Sequence, residues 1–219
     1  RGNALSSIIE FSQKDGTPTK LNTRATAGTS DAGITLDGPI NDKTTFIASM
    51  RQSYLQFLFK LIKLPFLPTY NDFQFKVKHQ LSSTSEISVI GLGAIDNFKL
   101  NTTVNNNITD EDILKRNNYI LGNIPIQKQW NYTIGAVYKH FGENSMQQLV
   151  LSRNEWENNA KKYFNNTNNA EDLLLNYSSK EVENKLRFEN LRTTKRNYKI
   201  NMGVGLENAE YSNATFQKI

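Results

Sequence analysis

The side chains in this sequence that could do chemistry are few and scattered. Two histidines, His79 and His140, stand in a chain of 219 residues that has no cysteine, which excludes a disulfide framework and any thiolate metal site. Two imidazoles could still share a metal ion if the fold brought them together. Each, however, ends an alternating segment near a turn, on a different strand, so no metal or cofactor site is expected. Hydrolysis would need a Ser or Asp nucleophile, a His and an orienting group in one place. His140 falls at the turn end of its strand with no evident Ser partner, so no catalytic residue is assigned and the chain is not read as an enzyme. The six Asn-x-Ser/Thr matches, at Asn101, Asn107, Asn131, Asn165, Asn176 and Asn213, follow from abundant Asn rather than from glycosylation. Tyr119, Trp156 and Glu171, in stretches read as loops, could touch a ligand; a packed or solvated role is the expectation, and ligand-binding residues are otherwise unassigned.

Composition restricts what such a chain can be. The net charge of +5 comes from single Lys and Arg residues between polar ones. Without a basic block or an aromatic RNA-binding motif, nucleic acid is not an expected partner. Mean hydropathy is −0.57, and no apolar run approaches the roughly 18 residues that a transmembrane helix needs. A transmembrane barrel escapes that exclusion, because its strands are apolar only on alternate residues.

The elements that position these side chains follow from period-2 alternation. In Asn71 to Leu100, Phe73, Phe75, Val77 and Leu81 oppose Gln74, Lys76, Lys78 and Gln80; Ser82 to Ser85 turns the chain. On the return, Ile90, Leu92, Ala94, Phe98 and Leu100 share a parity against Gly91, Gly93, Asn97 and Lys99, with Val89 and Ile95 as exceptions. Upstream, Leu5 to Gln13 reads as a short strand and Asp15 to Pro18 as a turn. Thr23 to Thr29 is a strand, Ser30 to Gly33 a tight reversal, Ile34 to Ile40 a strand, and Gly38-Pro39 with Asn41 to Lys43 a second turn. Thr44 to Leu58 is a long strand. Phe57 to Leu64 loses the alternation and predicts a short helix stopped by Pro65.

Downstream, Asn101 to Pro125 is a polar excursion with a helix near Asp110 to Leu121. From Gln127, Trp130, Tyr132, Ile134, Ala136 and Tyr138 oppose Gln129, Asn131, Thr133, Gly135 and Lys139, with aromatics toward both ends as in a barrel strand between interfacial girdles. Gly142 to Asn144 turns into Met146 to Asn154. A second excursion, Glu155 to Lys180, precedes strands at Val182 to Arg192 and Tyr198 to Leu206. The connections near 41, 83, 143 and 195 are short and fall at one end, whereas those near 64, 113 and 167 are long and fall at the other. Outer-membrane barrels sort their loops in this way and soluble sandwiches rarely do. The expected fold is therefore all-β: about nine strands of a larger antiparallel up-and-down transmembrane β-barrel, with short helices in the long loops. Phe73, Phe75, Trp130, Tyr132, Ile200 and Met202 are expected to face lipid, and Lys76, Lys78, Asn131, Lys199 and Asn201 the lumen. The chain opens on Arg1 without a charged and then apolar export segment, which predicts a piece of a longer protein.

The opening Arg1-Gly2-Asn3-Ala4-Leu5-Ser6-Ser7-Ile8-Ile9-Glu10-Phe11 resembles the end of the plug domain in TonB-dependent outer-membrane receptors. Leu36 to Ile40 is similar to their first periplasmic turn, and Phe46 to Ser53 to the strand that follows. Ser53 to Leu58, Leu64 to Phe73 and Ile90 to Asp96 resemble the branch found in Bacteroidetes. The resemblance implies a division into residues 1–16, the end of the plug, and 17–219, the first part of the barrel, about nine of roughly 22 strands in such plugged transporters. It implies import of an extracellular nutrient ligand across the bacterial outer membrane, energised by the TonB complex acting through a plug region that lies outside this chain. Outer-membrane lipid and the unknown ligand are the implied partners, and a surface lipoprotein is left open as a further one. A passive pore or a surface adhesion barrel is the alternative.

Overall fold

The computed structural model describes residues 11–218. Nine strands form one sheet in sequence order: β1 Asn22–Ala27, β2 Asp31–Asn41, β3 Thr44–Ser53, β4 Phe66–Ser82, β5 Ser85–Leu100, β6 Ile126–Phe141, β7 Ser145–Tyr163, β8 Leu173–Thr193 and β9 Lys199–Gln217. Every neighbouring pair is antiparallel, an up-and-down meander. Two helices, α1 Leu55–Leu61 and α2 Glu111–Asn123, lie in the connections. Among the described residues no helix is long and apolar enough to cross a membrane.

Direct pairing carries each face across the sheet, because opposed residues project to the same side. One row runs Val77, Val89, Ala136, Leu151, Leu186, Leu206, apolar throughout. The opposite face is charged: Lys78 pairs with Glu86 at 2.8 Å, Lys185 with Glu183 at 2.8 Å and Glu207 at 3.6 Å, and Arg187 with Glu189 at 3.6 Å. Phe73, Phe75, Trp130, Tyr132, Ile200 and Met202 share the apolar face, and Lys76, Lys78, Asn131, Lys199 and Asn201 the charged one.

Strand β5 departs from the expected parity. Its apolar-face residues are Ile87, Val89, Gly91, Gly93 and Ile95, while Ile90, Leu92 and Ala94 turn to the charged face opposite Lys76, Gln74 and Asp72. Glycine carries no hydrophobic signal, yet Gly91 and Gly93 are the floor on which the Phe75 and Phe73 rings rest.

Other boundaries move for local reasons. β3 stops at Ser53 rather than Leu58, because the Ser53 hydroxyl accepts from the Leu55 amide at 3.1 Å and opens α1 there. The first reversal is Gly28 to Ser30, closed by the Gly28 amide donating to the Asp31 carbonyl at 2.8 Å, so Asp31 to Gly33 belong to β2. Gly38 and Pro39 also lie inside β2, where the register shifts between Pro39 and Asn41, and the turn is Asp42-Lys43. Most of Glu155 to Lys180 is strand, since β7 and β8 extend to Tyr163 and from Leu173. Leu5 to Glu10 lies outside the described residues, and Phe11 to Gln13 forms no strand.

The sorting of connections holds with one exception. One end carries Asp42-Lys43, Ser83-Thr84, Gly142 to Asn144 and Thr194 to Tyr198; the other carries Tyr54 to Pro65, Asn101 to Pro125 and Phe164 to Asp172, together with the short Gly28 to Ser30.

Candidate functional site

The long-loop end is built largely from asparagine. Asn107, Asn165, Asn166 and Asn168 adopt positive φ, a region that Asn tolerates better than most residues because its amide bonds locally. Asn101, buried, donates to the Leu64 carbonyl at 2.9 Å and accepts from Thr103 at 3.1 Å. Asn117, fully buried on α2, donates to Asn105 Oδ1 at 3.0 Å, and Asn105 donates to Asn118 Oδ1 at 2.7 Å. The side-chain Oδ1 of Asn117 finds no donor among the described residues. Three of the six glycosylation-type matches, Asn101, Asn107 and Asn165, thus have structural roles in these loops.

Helix α2 is fixed at both ends. Asp110 accepts from the amides of Asp112 and Ile113 at 3.0 and 3.1 Å, satisfying two of the free N–H groups at the helix start. At the other end Lys162, at the top of β7 and 9% exposed, donates to the carbonyls of Leu121 and Ile124 and to Asn166 Oδ1. Those three acceptors match the three hydrogens of its ammonium. A cation at carbonyls left free by a helix C-terminus is favourable there.

Between α2 and the Phe164 to Asp172 connection lies a cavity of about 470 Å³, lined by Asn105, Asn118, Leu121, Lys162, Phe164 and Asn166 among others. Because the Lys162 ammonium is spoken for, the hydrogen-bonding groups that the cavity offers are side-chain amides and the hydroxyls of Thr102 and Tyr163. It can hold a ligand rich in hydroxyl or carbonyl groups, and it brings no nucleophile to a base. Reading Glu155 to Lys180 as unstructured hid this cavity, since neither Lys162 nor Phe164 could then be placed against α2.

The residues singled out from the sequence are dispersed. Tyr119 is exposed on α2, Glu171 is exposed in a 3-10 turn, and Trp156 lies within β7 rather than in a loop. The Thr44 hydroxyl is 2.8 Å from His79 Nδ1, and the Ser85 hydroxyl is 2.9 Å from His140 Nδ1. His140 therefore does have a Ser partner, contrary to expectation, because β5 pairs Ser85 directly opposite it. Neither imidazole is hydrogen-bonded to a carboxylate among the described residues, so the orienting member of a triad is missing. No group of three metal-ligating side chains occurs among them either.

The segment before β1 lies on the charged face. Asp15 bridges Lys76 at 2.6 Å and Lys78 at 2.9 Å. Asp37, 8% exposed on β2, accepts from the Thr17 amide at 3.3 Å and Asn22 Nδ2 at 3.2 Å, and meets Lys14 at 3.4 Å. Gly16 sits against the β3 backbone at Phe46 with no room for a Cβ.

No protein-family model matches the sequence, and no curated protein does. Solved structures do match the fold. The pyoverdine outer membrane receptor FpvA from Pseudomonas aeruginosa PAO1, bound to pyoverdine, superposes with a TM-score of 0.65 at 9% identity, over 94% of this chain and 32% of that one. FpvA in complex with a heterologous ferric pyoverdine gives 0.57 at 8% identity, over 86% and 27%. A mutant of the ferric enterobactin receptor PfeA from Pseudomonas aeruginosa gives 0.56 at 9% identity, over 91% and 30%. The chain spans about a third of the length of these receptors. With its apolar outer face, charged inner face and sorted loops, the nine-stranded sheet is a segment of an antiparallel up-and-down transmembrane β-barrel, folded like part of those outer-membrane receptors.

Proposed function

We propose that this chain is part of a TonB-dependent receptor of the bacterial outer membrane, of the Bacteroidetes type, which binds an extracellular nutrient and imports it with energy delivered through TonB. In this reading residues 1–16 end the plug, residues 17–219 begin the wall, and Asp15 to Pro18 join them. The observation that carries it is the seat of Lys14 to Thr17 on the charged face, held by Asp15 to Lys76 and Lys78 and by Asp37 to Thr17 and Lys14. A plug tail must leave the lumen along that face before entering the wall. The amide-lined cavity at the long-loop end is the candidate contact for a ligand, and for a surface lipoprotein that delivers it.

The test is growth of a strain whose only receptor of this kind is the intact protein, on iron from a panel of ferric siderophores and on glycans as carbon source, with and without TonB. Growth on at least one nutrient that disappears without TonB is the expected result. Growth that persists without TonB identifies a passive pore instead.

A further inference from the structure

On the charged inner face, near the long-loop end, a small pocket holds a carboxylate without a counter-charge. Tyr70 on β4, Asp96 on β5 and Gln129 on β6 lie in one row across the sheet, and Pro68, Phe98 and Gln127 lie in the row above, about 7 Å further along the strands. Together they line a cavity of about 240 Å³. Its apolar walls are one proline and two aromatic rings, and both rings are held in place. Phe98 stacks on Phe66 at 5.5 Å, and the Tyr70 hydroxyl donates to Asp31 at 2.8 Å.

Asp96 is partly buried and takes no hydrogen bond or ion pair among the described residues. Its neighbours are better served. Asp72 accepts from Arg51 Nε at 2.8 Å, and the same guanidinium lies 5.3 Å from the centre of the Tyr70 ring, so the one cation at hand is already used. Across the two rows of the pocket and the row below them, the inner face carries four carboxylates, Asp31, Asp72, Asp96 and Glu181, against Arg51 alone. Lys99 and Lys128, close to Asp96 along β5 and across on β6, fall on the opposite parity and project to the outer face. Field lines from such a wall gather cations at this end of the sheet.

We propose that this pocket binds a protonated primary amine of the incoming ligand, its ammonium against Asp96 and the side-chain oxygens of Gln127 and Gln129, its carbon chain against Phe98 and Pro68. Three acceptors suit the three hydrogens of an ammonium, and aromatic faces attract cations. A carboxylate set between apolar walls is costly until a cation pairs with it. A bare metal ion fits less well, because hard cations take about six or more oxygens and no three metal-ligating side chains come together among the described residues. The proposal rests on the import reading above, in which the ligand enters at the long-loop end.

The probe is phenethylammonium, titrated by saturation-transfer NMR against the intact protein in non-ionic detergent, after heat-modifiable gel mobility has verified a folded barrel. Phenethyl alcohol is the neutral control of the same shape. The ammonium should bind about tenfold more tightly than the alcohol, and about tenfold more tightly than it binds D96N, with D96E recovering most of the affinity. Equal affinity for amine and alcohol would overturn the proposal, and so would an unchanged D96N. Displacement of the probe by millimolar calcium would also overturn it, by making the site one for an inorganic cation. Should D96N fail to fold, the comparison of ammonium with alcohol on the unmodified protein decides alone. TonB-dependent growth together with equal binding of both probes would remove only this pocket; selective binding of the ammonium together with growth indifferent to TonB would overturn the import reading and leave the pocket standing.

Discussion

Phe73 on β4 lies over Gly93 on β5, so closely that a Cβ at Gly93 would stand 2.6 Å from the ring's Cζ and 2.8 Å from the backbone oxygen of Asn131 on the far side. The ring has replaced the missing side chain. At Gly91 the three nearest atoms all belong to the Phe75 ring, and that ring can swing outward into lipid. Gly93→Ala should therefore destabilise the intact barrel by about 1 to 3 kcal/mol, as overpacking against fixed backbone does, and Gly91→Ala by less. Equal losses in urea unfolding from lipid vesicles would refute this packing.

The same pair shows what the sequence made legible and what it did not. Strong alternation in β4 and β6 revealed their faces, because nearly every apolar residue shares one parity. β5 was misread because its lipid side is lined by two glycines whose role is to be absent, while Ile90 and Leu92 project inward. The lower half of β8 was visible in Lys185 to Phe188, but the upper halves of β7 and β8 stand above the apolar band, where neither face needs to be greasy and period 2 vanishes. The helix starting at Asp110 was legible from its cap. The Lys162 contact that completes it was not, being a tertiary pairing between residues 41 apart.

Depth on β7 can be tested with two neighbouring arginines. Leu151 lies between Ala136 and Leu186 on the apolar face, one step below Arg153, and Ser152 points to the opposite side. Leu151→Arg should cost about 2 to 4 kcal/mol and Ser152→Arg far less. A lipid-refolding titration that finds the two equal would reverse the assigned faces.

Asp15 makes the seating of the N-terminal segment pH-dependent. Burial raises its pKa, but the hydrogen bonds and charges of Lys76 and Lys78 together outweigh that and hold the carboxyl below its ordinary value. A depressed folded value means stability that is fully present above the unfolded pKa and lost as pH falls through the folded one. Hydrogen exchange in residues 11–21 should therefore be slow at neutral pH and accelerate below about pH 4. Asp15→Asn should exchange faster at neutral pH and lack that acid step. A step that survives the substitution would assign it to another carboxylate.

Lys162 ties α2 to the top of β7 through two carbonyls and Asn166. Lys162→Met keeps the stem and removes the donors; the Leu121 carbonyl keeps Asn166 Nδ2 at 3.1 Å, while the Ile124 carbonyl and Asn166 Oδ1 lose the ammonium, at about 1 to 3 kcal/mol. Proteolysis between Asn101 and Pro125 should quicken several-fold while the strands stay protected. An unchanged cleavage rate would mean that the loop is held by its asparagine contacts instead.

The sheet is open. Among the described residues β1 and β9 each pair on one side only, and the nineteen residues of β9 carry Ile200, Met202, Val204 and Leu206 along that edge. Unpaired N–H and C=O groups in hydrocarbon cost several kcal/mol each, which is why sheets that span membranes close. The 219 residues expressed by themselves should consequently aggregate or pair edge to edge rather than form a conducting barrel. The measurement is refolding in detergent, followed by gel mobility with and without heating and by solute uptake into liposomes. A compact, monomeric species that conducts would mean that nine strands can seal against themselves, and with that both the strand count and the membership of a larger barrel would fall.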